Sequence, residues 1–102
     1  MERYSLENYC NWCARMGYLT HLPSYFDKFV DSVLYSSSQI ARLTGVHKET
    51  ILRMFRAGEL INQSISNTFK AEGKEIKEAL FNRPNVIKAI ERLNPSYFIN
   101  KS

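Results

Sequence analysis

At 102 residues the chain has room for one domain built on a single core, and its 44% apolar content with thirteen aromatics (one Trp, six Tyr, six Phe) is enough to pack that core. No stretch approaches the ~20 apolar residues that cross a bilayer, and no apolar run follows the first residues as a secretion signal would, so a soluble, cytoplasmic protein with no membrane partner is expected. The net charge of +4 is modest but uneven: three basic against four acidic side chains in residues 1–36, five against two in 37–70, and six against four in 71–102.

Helix breakers are few, three prolines and four glycines, and the runs between them predict a mainly all-α fold with room for a small β element. In the first run Leu6, Tyr9, Cys10, Cys13 and Met16 recur at spacings of three and four, with Ser5 placed to cap the helix and Gly17 to stop it. After Pro23, residues 24–34 set Tyr25, Phe26, Phe29, Val30 and Val33 on one broad face and Asp27, Lys28 and Asp31 opposite, which predicts a second helix and hence N-terminal helices over 5–34. These aromatics read as core, with Tyr4 and Trp12 as the residues a dimer surface would use instead.

Cys10-Asn11-Trp12-Cys13 has the spacing of a redox dithiol or of half a zinc site. A tetrahedral zinc needs two further ligands, yet the two histidines, His21 and His47, stand at no recognised spacing, and a thioredoxin-like pair follows a β-strand that is not predicted here. Free thiols, buried or half-buried, are expected, with no metal and no cofactor.

Residues 36–60 are the most informative stretch. The serines at 36–38 are cap chemistry for a helix in which Ile40 and Leu43 share a face beside the small Ala41. Gly45 supplies a left-handed turn, Val46 plugs it, and Ile51, Met54 and Phe55 form the inner face of a following helix that Gly58 ends. A period-two reading would mix apolar and polar positions, so two short helices over 37–58 are predicted.

Beyond them, residues 60–70 are ambiguous: Ile61, Ile65 and Phe69 recur every four residues but also stand on alternate positions, and the Asn and Ser between them favour a β-wing or a loop over a helix. From Glu72 the pattern is helical again, through Ile76, Ala79, Leu80 and Phe81. Pro84 then opens a last helix with Val86, Ile87, Ile90 and Leu93 in a stripe, giving C-terminal helices over 72–93, closed by Asn94-Pro95 and a tail over 96–102.

The spacing of Ala41, Gly45, Val46 and Ile51 resembles the helix-turn-helix signature of bacterial, phage and plasmid transcription regulators, a likeness confined to residues 36–60. Arg56-Ala57-Gly58-Glu59-Leu60 also resembles the end of the recognition helix in small excisionase-like and MerR-like modules. The resemblance implies a single helix-turn-helix domain over 1–102 whose helix 47–57 enters the major groove of double-stranded DNA, with His47, Lys48, Glu49, Thr50, Arg53 and Arg56 as the contacting residues. Lys48 and Arg53 suit guanine, Thr50 and Arg56 suit phosphates, and Glu49 either accepts from cytosine or pairs with Arg53 one turn on. His47 either caps the helix or touches a phosphate at its start, or is plain surface. The charge pattern fits, since positive charge begins where the motif begins.

No Ser/His/Asp set, glycine-rich phosphate loop or paired acids is present in the pattern, so an enzyme is not expected. A small transcriptional repressor is, acting as a homodimer on a palindromic site, with the surplus apolar residues of the first and last helices as candidate dimer surface. Two other readings stay open: an excisionase-like recombination or replication accessory protein, and an antitoxin-type module with a protein partner on its N-terminal helices.

Overall fold

A computed structural model describes residues 3–65 and 68–99. Among them six helices, Leu6–Met16 (α1), Ser37–Thr44 (α2), Lys48–Arg56 (α3), Gly73–Phe81 (α4), Pro84–Leu93 (α5) and Pro95–Ile99 (α6), accompany a two-stranded antiparallel sheet of Leu34–Ser36 (β1) and Lys70–Glu72 (β2). The fold is thus mainly helical with a small β element, as the composition predicts. No helix among the described residues is long and apolar enough to cross a membrane. Packing gathers the chain into two compact units, one of Met1–Pro23 with Leu80–Ser102 and one of Ser24–Ala79, the division falling inside α4.

In the first unit, α1 starts where Ser5 Oγ accepts the Asn8 N–H at 3.2 Å and stops where Gly17 turns left-handed at φ 73°. The Tyr18 N–H then reaches back to Cys13 O at 2.9 Å, closing the end that the sequence places at Gly17. Tyr9 and Cys13 face the core with Leu80, Phe81, Val86, Ile90 and Tyr97, all buried. Each such side chain withdrawn from water contributes roughly 1.5–3 kcal/mol. At the centre stands a buried polar group, Asn94, whose Nδ2 donates to the Tyr9 hydroxyl at 2.7 Å and to Leu19 O at 2.9 Å. Tyr9 in turn donates its O–H to Thr20 O. Burial pushes the Tyr9 phenol well above the ordinary tyrosine range against the opposing Asn94 bond, and burial likewise raises the Cys13 thiol. Neither cysteine is in a disulfide, Cys13 being buried and Cys10 half-buried.

Tyr4 and Trp12 pack within this unit's aromatics: Tyr4 lies edge-on to Phe98 at 5.1 Å, and Trp12 meets Tyr18 at 5.4 Å and Tyr97 at 5.3 Å. Asn82 holds the N-terminal segment by accepting the Tyr4 N–H (2.6 Å) and donating to Tyr4 O (2.8 Å). The tail expected over 96–102 is corrected in its first part, because residues 95–99 form α6 and Tyr97 is buried against Tyr9. The rest of that stretch, 100–102, lies outside the described residues.

In the second unit the helix expected over 24–34 is replaced by one 3₁₀ turn, Ser24–Lys28. The reason is tertiary. The Val30 N–H donates to the Tyr35 hydroxyl at 2.9 Å, while the Asp31 and Val33 carbonyls accept from Lys74 (3.2 Å) and Gly73 (2.9 Å), so the segment's polar groups are satisfied across the fold rather than along a helix. Of its apolar face, Phe26 and Phe29 are buried and Val30 and Val33 exposed. A β element does form at the end of this stretch, where β2 begins at Lys70 and pairs with β1. Of the Ile61, Ile65 and Phe69 series only Phe69 packs, stacking on Phe55 at 5.0 Å, while both isoleucines are exposed.

Candidate nucleic-acid interface

The charged face is built on α2, a three-residue turn and α3. Ser36 and Gln39 form a reciprocal cap at the start of α2: Ser36 Oγ accepts the Gln39 N–H at 3.3 Å and Gln39 Oε1 accepts the Ser36 N–H at 2.9 Å. At its other end Gly45 is left-handed (φ 75°, ψ 3°) and donates its N–H to Ala41 O at 2.9 Å. Thr44 supports the same turn, donating from Oγ1 to Ile40 O (2.7 Å) and accepting the Val46 N–H (3.1 Å).

Helix α3 then starts from His47, whose Nδ1 accepts the Glu49 N–H at 3.2 Å. Of the two roles open to His47 at the helix start, the cap is therefore made, with the ring exposed. The helix ends in a glycine-closed turn: Gly58 is left-handed (φ 80°), its N–H meets Phe55 O at 3.2 Å, and the Glu59 N–H meets Met54 O at 2.9 Å. Ile51, Met54 and Phe55 are buried, as their spacing predicts.

The outward side follows from the same period. At 100° per residue, Glu49, Arg53 and Arg56 fall within an arc of about 60° directly opposite Ile51. All three are exposed. Lys48 is exposed at the first turn but on the Leu52 flank, and Thr50 is half-buried on the other flank. The six expected residues thus form a central group of three with His47 and Lys48 at the N-terminal end and Thr50 at one edge. Among the described residues no ion pair ties Glu49 to Arg53 or engages Lys48 or Arg56, so these charges point to solvent.

Two further exposed cations, on elements next to α3, were outside the expected set. Arg42 stands in the last turn of α2, and Lys70 opens β2 next to Phe69, which the Phe55 stack ties to α3. Arg42 is findable from sequence as the polar neighbour of Ala41 in an amphipathic helix. Lys70 is not, because its position depends on a strand pairing thirty-four residues away, Ser36 with Lys70.

Among the described residues no cluster of three or more His, Cys, Asp or Glu is placed to hold a metal ion. Compared with known proteins, the chain matches no family model, no curated protein and no solved structure.

Proposed function

We propose that this chain is a sequence-specific double-stranded DNA-binding protein, a small cytoplasmic transcriptional regulator that represses as a homodimer and carries no catalytic activity. The observation that carries the reading is the pair α2 and α3, joined through left-handed Gly45 and presenting Glu49, Arg53 and Arg56 outward from a buried Ile51-Met54-Phe55 face. A helix with that distribution fits the major groove with its charged side down. Arg53 offers a bidentate donor pair for guanine O6 and N7, and unpaired Glu49 accepts from cytosine N4 while rejecting bare phosphate, which favours discrimination over adhesion. Arg56, Arg42 and Lys70 supply phosphate contacts around it.

One such module buries roughly 600–1,000 Å², at the low end for specific recognition, so two copies on an inverted repeat are the expected binding unit. In the simplest form of this reading the bound dimer acts by occluding polymerase. Selection of bound sequences from a random DNA library tests this. An inverted repeat with half-sites about 34 Å apart, or a multiple, is the expected product. Selection of no sequence removes the reading, and an asymmetric site bound by a monomer transfers it to an excisionase-like accessory protein.

A further inference from the structure

Two side chains on the outward face of α3 carry opposite charge and stay apart. Glu49 is the second residue of the helix and Arg53 stands one turn on, the order and spacing at which an acid and a base close a salt bridge most readily. Among the described residues that bridge does not form, and both side chains are exposed. The Glu49 N–H is held by His47 Nδ1 at 3.2 Å, which fixes the first turn from which the carboxylate projects.

Helical geometry limits how far apart the two can read. Four residues advance the axis by about 6 Å and turn it by about 40°, so the two side chains leave one side of the helix roughly 6 Å apart. Successive base pairs are spaced by about 3.4 Å, which sets Glu49 and Arg53 over neighbouring or next-neighbouring pairs. A single pair does not suit both. Its guanine O6 and cytosine N4 are hydrogen-bonded to each other, about 3 Å apart, and side chains engaging both would be drawn into the salt bridge that the helix does not make.

From this geometry we infer that each half-site of the recognised DNA holds two G·C pairs one or two steps apart, one read at cytosine N4 by Glu49 and the other at guanine O6 and N7 by Arg53. The inference rests on the DNA-binding function proposed above and specifies its target. A carboxylate only accepts hydrogen bonds. In the major groove guanine and thymine offer it acceptors alone, adenine offers a donor flanked by the N7 acceptor, and cytosine offers a donor with no acceptor beside it. Cytosine is therefore the base that best repays Glu49 for the water it gives up. Arg53 is the converse, a set of donors only, and guanine alone presents two acceptors side by side. Lys48, about 100° round the axis from Glu49, lies outside this pair of readers.

Parallel selections from a random DNA library with the full-length wild type, Glu49→Gln and Arg53→Ala, at one fixed salt concentration, test the assignment, with thermal melts as the control for folding. The wild-type motif is expected to hold both G·C pairs, each preferred roughly 5- to 150-fold over other bases. Glu49→Gln moves the cytosine position to adenine, whose N6 and N7 a glutamine engages together, and leaves the guanine position as it was. Arg53→Ala levels the guanine position and leaves the cytosine one. Glu49→Gln also binds unrelated DNA at least as tightly as wild type, because a charge that repels phosphate is gone, whereas damage to the fold would weaken all binding. A wild-type motif that keeps its cytosine in Glu49→Gln, or whose two responsive positions coincide or lie more than two steps apart, overturns the inference and leaves DNA binding standing. A wild type that selects no sequence removes the DNA reading and this inference with it.

Discussion

The two units solve the problem of polar groups in opposite ways. The unit of residues 1–23 and 80–102 turns polarity inward: Asn94 is buried among aromatics and joins Tyr9 and the Leu19 carbonyl, partners seventy-five or more residues distant in sequence. The unit of residues 24–79 satisfies main-chain groups, by caps at Ser36 and His47 along α2 and α3 and across the fold at Gly73 and Lys74, and leaves Lys48, Arg53 and Arg56 facing water. No buried side-chain nitrogen or oxygen among the described residues lacks a partner in either. A buried network fixes one geometry and resists change. A face of unpaired cations adds little to stability and is available for a ligand. On the function proposed above, the first unit is scaffold and the second carries recognition, and substitutions should separate the two.

The largest effect should come from the aromatic core. Phe81 is fully buried against Tyr9, so Phe81→Ala should cost about 3–5 kcal/mol. Trp12 is the single tryptophan and lies in the first unit, so urea unfolding followed by its fluorescence reads this loss where it occurs. The affinity of the folded fraction for a selected DNA site should not change. A transition unmoved by the substitution would mean that the first unit is not held by this cluster.

In the second unit two glycines distinguish close packing from backbone strain. A Cβ on Gly73 would overlap the Val30 carbonyl, with the carbonyl carbon only 2.7 Å away, so Gly73→Ala should cost about 1–3 kcal/mol and disturb the β1–β2 join. Gly45 has open space around it but a φ of 75°, so Gly45→Val should lose on the order of 1–2 kcal/mol through conformation alone. Thermal melts of both variants check the order. A Gly45→Val melt equal to wild type would place the turn elsewhere.

Arg53→Ala is the converse of Phe81→Ala. It removes an exposed side chain from the outward face of α3 and should leave the melt unchanged while weakening binding to the selected site by roughly 1–3 kcal/mol. Titration of labelled DNA measures it, and equal affinity for both proteins would remove α3 as the recognition helix.

The smallest effect belongs to Asp31. Its hydrogen bond and attraction to Lys77 hold the carboxyl below its usual range. A depressed carboxylate pKa stabilises the fold above the unfolded value, about 3.9, and the contribution fades as pH falls through the folded value below that. Melting wild type and Asp31→Asn side by side should therefore show a slight wild-type advantage near neutral pH that closes under acid conditions. A gap independent of pH would show that the pair is not its source.

What the sequence determined by itself is everything that a few neighbouring residues decide. Ser5 and Gly17 bound α1, Ser36 and Gly45 bound α2, and the spacing of Ile51, Met54 and Phe55 sets the buried side of α3 and hence the exposure of Arg53, because caps, left-handed glycines and helical period act over one or two turns. Only the tertiary structure decided the rest. Residues 24–34 have a helical pattern and do not form that helix, since their carbonyls and amides find Gly73, Lys74 and Tyr35 instead. The place of β2, the close approach at Gly73, the burial of Tyr97 and the bonds of Asn94 likewise depend on groups distant in the chain that meet only once the core has closed. A local pattern states what a segment is able to become, and long-range hydrogen bonds and packing select among those states because a buried polar group left without a partner costs more than a local preference gives up.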